Sequence, residues 1–214
     1  MGFFSGLVGA IGGFLGGVAG AIGGALGAAA TFLGGLVASP VFLAVIGLVS
    51  TISTFLGLTK EKEKPEELGA KIALSDKKPQ DFTSYQAYIE HLSNNVELTD
   101  EMKDRLKDEK FKRECMCLGA AAQWQGINEK LGMNMDISSA ENLARAGVNT
   151  AEQFKIIADT FKEKEVEPKI GEAIENKLPI KEKIEVSETL KEGVLKIENS
   201  KEIWDKLDNM LEGM

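Results

Sequence analysis

Three features of the sequence predict an all-α fold. They are a heptad-spaced glycine pattern over residues 2–36, a series of helix-capping signatures ahead of apolar residues three and four apart, and the lack of any convincing strand-like alternation. Charge then divides the chain. Residues 1–59 contain no Asp, Glu, Lys, Arg or His, so all 33 acidic and 25 basic residues, and the net charge of −8, belong to the remainder. The expected organisation is an uncharged, glycine-zipper helical hairpin over 1–59, a charged linker over 60–68, and an acidic multi-helix domain over 69–214.

The hairpin is predicted from the opening residues. Written in sevens from Gly2, they read GFFSGLV, GAIGGFL, GGVAGAI, GGALGAA and ATFLGGL. The first and fifth places carry Gly6, Gly9, Gly13, Gly16, Gly20, Gly23 and Gly27, a smooth ridge expected to pack helix against helix. Phe4, Leu7, Ile11, Phe14, Val18, Ile22 and Phe32 fall almost opposite and are expected to face lipid. A repeat of seven also implies a seam that partner helices follow with a left-handed twist.

Energetics restrict where such a helix exists. Each interior glycine costs roughly 1 kcal/mol against alanine, so the thirteen in residues 2–36 cost on the order of 10 kcal/mol. A lone helix of this kind is not stable in water. A bilayer, where backbone groups must pair internally, or a bundle of sister chains reverses the balance. Ser39 and Pro40 mark the expected hairpin turn, Ser as N-cap and Pro as first helical residue. The second helix is then expected over 41–58, about 27 Å at 1.5 Å per residue, close to a hydrocarbon core of roughly 30 Å.

Other readings of this segment fit less well. A signal peptide would need a basic start and a far shorter apolar run. N-myristoylation wants Ser or Thr at position 6, where this chain has Gly6. An ordinary buried hairpin in a soluble assembly remains the plain alternative. Lys60, Lys62 and Lys64 alternate with Glu61 and Glu63 in the junction, which reads as a solvated hinge.

The acidic remainder is predicted helical from 66 onward. A short helix is expected over Phe82–Asn94, and Thr99 is expected to cap a longer one reaching Leu131. The latter's core side carries Phe111, Cys115, Leu118, Ala122, Trp124, Ile127 and Leu131. Ser138 with Glu141, and Thr150 with Gln153, form capping-box patterns, with Gly147 as the stop between them. Pro168 and Pro179 punctuate the C-terminal part of the chain. Leu190, Val194, Ile197, Trp204, Leu207 and Leu211 then recur at helical spacing, interrupted at Asn199-Ser200.

Chemistry is sparse, and no enzyme, metal or cofactor is expected. Cys115 and Cys117 with the lone His91 fall short of a metal-ligand set, and Cys115 lies on the predicted core face. His91 has no nucleophile around it. The glycines lack the strand, Lys and Ser/Thr of a phosphate loop. "LARAGVNTAEQF", 143–154, resembles half of a helix-hairpin-helix DNA module without its glycine hairpin or basic flank, so it reads as a plain helical turn. The acidic balance also argues against a nucleic-acid grip.

The "MGFF" start, the Gly/Ala-rich apolar opening and the charged helical remainder together resemble internal or ejection proteins of bacteriophage virions, DNA-pilot proteins among them. The resemblance covers residues 1–59 in character. It implies a protein that rides in the capsid interior or tail, leaves with the genome and forms or lines a conduit through the host envelope. Expected partners are other copies of itself, tail or portal proteins and host membrane lipid. The alternatives are a pore-forming bacterial effector or bacteriocin-like toxin, secreted or delivered to its target membrane, and a structural tube or plug subunit that never meets lipid.

Overall fold

A computed structural model describes residues 10–212, with side chains from Gly13 onward. Every regular element among the described residues is helical. The order is α1 (Ala10–Ile22), α2 (Gly24–Leu36), α3 (Phe42–Phe55), α4 (Pro65–Leu74), a 3-10 turn (Pro79–Asp81), α5 (Tyr85–Asn95), α6 (Asp100–Arg105), α7 (Glu109–Leu131), α8 (Ile137–Ala146), α9 (Ala151–Glu163), α10 (Ile170–Ile174), α11 (Ile180–Leu195) and α12 (Lys201–Glu212).

Helix α7 is the spine. Its middle, Leu118-Gly119-Ala120-Ala121-Ala122, is small or apolar on every side and wholly buried, as expected for a helix surrounded by others. Helices α1 to α5 all pack on it. α3 also touches α8 and α9, so the uncharged segment and the acidic remainder share one continuous apolar core. The tightest crossing is α4 on α7. A Cβ on Gly69 would stand 1.8 Å from the Cys115 carbonyl oxygen, and one on Gly119 would stand 2.0 Å from that of Pro65. The two backbones are in direct contact, which only glycine permits.

Local signals explain most boundaries. Thr150 and Gln153 make the reciprocal capping box of α9, at 3.2 and 3.3 Å, and Gly147 closes α8 with φ 108°. Of the predicted core side, Phe111, Cys115, Leu118, Ala122, Trp124 and Ile127 are buried, and Leu131 is half-buried. Three expectations are revised. Thr99 caps α6, which ends at Arg105; the Asp108 carboxylate then accepts from Phe111 N at 2.8 Å and starts α7 afresh. Helix α8 is capped by Asp136, accepting from Ser139 N at 3.1 Å, rather than by Ser138. Helix α4 begins at Pro65, inside the stretch expected to be linker, with Pro at its first position. Glu63 is tied down there too, accepting from Ser93 Oγ at 2.6 Å and lying 3.6 Å from Lys71 Nζ.

Candidate functional site: the uncharged segment and its seat

The segment expected to form two long helices forms three short ones. Positive φ at Gly23 and Gly24 splits the first into α1 and α2, each 13 residues, and α3 has 14. Ser39 and Pro40 lie in the turn before α3, but Ser39 Oγ accepts only a long 3.4 Å bond from Val41 N, and α3 starts at Phe42. At its other end α3 stops before Gly57, whose φ is 70°. No described helix is long and apolar enough to cross a membrane.

Helices α1 and α2 fold back on each other as an antiparallel pair. A Cβ on Gly27 would stand 2.5 Å from the Ala19 carbonyl oxygen, and one on Gly34 would stand 2.5 Å from Leu15 Cδ2. Gly27 therefore provides a close helix approach within the chain. Among the described residues, Gly13, Gly16, Gly20 and Gly23 have nothing within 4 Å of an added Cβ. Gly16 and Gly20 are exposed, and with Ala21, Ala25, Ala28 and Gly35 they give the pair a small, uncharged outer face. Gly6, Gly9, Phe4 and Leu7 lie outside the described residues, as does the side chain of Ile11.

The bulky side points inward to protein. Phe14 and Ile22 are buried, and Val18 and Phe32 are half-buried against the same core. The ring of Phe14 meets that of Phe111 at a centroid distance of 4.6 Å and an angle of 54°. The Arg105 guanidinium lies 4.0 Å over the Phe111 ring and 5.6 Å from that of Phe14. Arg113 Nη1 donates to Val37 O at 2.8 Å, capping the end of α2, while its guanidinium stands 6.0 Å over Phe42. Gln80 Nε2 donates to Ile22 O at 3.4 Å, at the end of α1. Arginines thus touch the segment from the acidic side at its aromatic rings and the end of α2, and a glutamine touches the end of α1. Sequence periodicity located the bulky face; the arginines that receive it carried no such signal.

The α3–α7 seam is less well satisfied. Ser50 Oγ donates to Gln123 Oε1 at 3.2 Å, and the buried Gln123 Nε2 has no partner among the described residues. Burial pushes the Glu114 carboxyl above the usual carboxylate range, with Lys110 and then Arg105 opposing the shift. On α3, Leu43 and Phe55 remain 57% and 48% exposed.

Cys115 and Cys117 are wholly buried; burial pushes the Cys115 thiol far up and that of Cys117 to about 12, so neither is a thiolate at neutral pH. The His91 ring lies tilted against that of Phe82, with centroids 5.0 Å apart. Among the described residues no group of three or more His, Cys, Asp or Glu side chains could hold a metal ion. No protein-family model matches the chain, and comparison with curated proteins and with solved structures returned no match.

Proposed function

We propose that this chain is a non-enzymatic, virion-associated protein that stores an uncharged helical segment against its own acidic domain. On genome delivery the segment is surrendered to the host membrane, where copies assemble as a conduit. The observation that carries the reading is the two-sidedness of residues 13–36. Their bulky side chains are seated on α7, whereas Gly16, Gly20 and the neighbouring alanines form an outer face without charge. A small-residue face lets helices approach closely in lipid. Proposed partners are sister copies, tail or portal proteins and host lipid; the proposed location is the virion interior or tail, and afterwards the host membrane.

The seat itself favours a second reading, a pore-forming effector or bacteriocin-like toxin, because folding the segment back on a helical domain keeps such a molecule dissolved until it meets its target. Gly13→Leu with Gly20→Leu is the decisive variant, since among the described residues a Cβ at either position would meet nothing within 4 Å. Expected are leakage and oligomers on anionic vesicles for the parent and loss of both for the variant, with unchanged helix content in buffer. Full activity and normal oligomers in the variant would refute the glycine face. A parent that neither floats with vesicles nor makes them leak would leave a structural tube or plug subunit.

A further inference from the structure

Gly23 and Gly24 form the tip of the α1–α2 pair, with φ of 65° and 59°. Glycine adopts such angles freely, whereas side chains resist them. Gly23 N donates to Ala19 O at 2.9 Å, and Gly27 N donates to Gly23 O at 3.1 Å. The helical ladder therefore runs up to the bend on one side and resumes directly on the other. Among the described residues a Cβ at either glycine would meet nothing within 4 Å, and beside the bend Gln80 Nε2 makes a long 3.4 Å bond to Ile22 O. The bend is held from further along, by the Ala19–Gly27 and Leu15–Gly34 contacts and by the seat on α7.

We infer that Gly23–Gly24 is a straightening hinge: release from α7 lets α1 and α2 fuse into one uncharged helix that reaches across a bilayer. The inference rests on reading the segment as membrane-active. Each helix alone has 13 residues, about 20 Å, and falls short. Fused from Ala10 to Leu36, they make about 27 residues and roughly 40 Å, more than a hydrocarbon core of roughly 30 Å. Straightening changes the sign of φ at two residues that lack side chains. In lipid, amides left open at a bend find no water, so the bilayer favours the straight form. In water, burial of Phe14, Leu15 and Ile22 favours the bent one.

Cysteines at Gly13 and Gly35 test this in the full chain, because among the described residues a Cβ at either position meets nothing within 4 Å. Cys115 and Cys117 are wholly buried and shielded from labelling. Spin labels at the two sites flank the Leu15–Gly34 contact in the bent form and lie roughly 33 Å apart in a straight helix. Double electron–electron resonance is expected to show a short distance in buffer and a population near that longer one with phosphatidylglycerol/phosphatidylethanolamine vesicles. Gly23→Ala with Gly24→Ala should raise the long-distance fraction in buffer by about tenfold or more, because alanine resists the bend and favours helix. The matched pair Gly16→Ala with Gly20→Ala, at positions without positive φ, should change it by less than about twofold. Vesicle-bound protein that keeps the short distance overturns the hinge and leaves the membrane reading intact. No vesicle binding, with the alanine pair still lengthening the distance, supports the hinge and removes the membrane reading. An alanine pair that leaves the buffer distances unchanged overturns the hinge outright.

Discussion

The ring of Phe14 rests on that of Phe111, 4.6 Å between centroids, beneath the guanidinium of Arg105. This is one of the places where the uncharged segment meets the charged one. Phe14 is 3% exposed, and burying an aromatic ring removes a large apolar area from water. Phe111→Ala should cost roughly 3–5 kcal/mol. Its signature would be local: faster hydrogen exchange in α1 and α2 at denaturant concentrations where α8–α12 stay protected. Uniform loss across all helices would show that the segment does not open separately.

The α4–α7 crossing makes a different prediction. Gly69→Ala or Gly119→Ala would drive a methyl group into backbone carbonyls, which cannot move aside as a side-chain end would. Each should cost roughly 3 kcal/mol or more, at or beyond the usual range for overpacking. Urea midpoints followed by circular dichroism check this. Gly47→Ala on α3, with nothing within 4 Å of the added Cβ, is the matched change that should stabilise by a few tenths to about 1 kcal/mol.

Arg113 holds the end of α2 by a charge-assisted bond to Val37 O. Arg113→Ala should cost roughly 1.5–3 kcal/mol, measured by denaturation. Arg113→Lys should restore only part of it, because an ammonium cannot both cap Val37 and present a flat face to Phe42.

Glu114 sets a pH dependence. Burial raises its folded-state pKa above the unfolded value, so the folded protein binds this proton more tightly. The resulting stabilisation is complete below the unfolded pKa and is lost as pH rises through the folded one. Glu114→Gln should therefore raise the urea midpoint at pH 7 and leave it nearly unchanged near pH 4. A variant less stable than the parent at pH 7 would show that the opposing charges of Lys110 and Arg105 outweigh burial.

How far the sequence carries is visible element by element. The Thr150–Gln153 box and the Gly147 stop act through bonds to their immediate neighbours, so they were readable. The break at Leu106–Asp108 was not, because apolar spacing runs on from Met102 to Phe111 and only the Asp108 cap interrupts it. In the candidate site, heptad spacing puts Phe14 and Ile22 on one side and Gly16 and Gly20 on the other; the first two are buried and the glycines exposed. It cannot say what the bulky side faces, since a phenylalanine ring is as well accommodated by Phe111 as by a lipid tail. The bend at Gly23–Gly24 was equally hidden: paired glycines permit it, but the contacts that impose it lie at Leu15, Ala19, Gly27 and Gly34.

The central claim is that the uncharged segment has no stable helix by itself, its helices α1 to α3 depending on α7, on lipid or on sister copies. Circular dichroism of a peptide of residues 1–58, kept monomeric at low concentration, tests it most directly. The expected result is a disordered spectrum in plain buffer and a helical one on adding anionic vesicles. A stably helical monomer in buffer would contradict the claim.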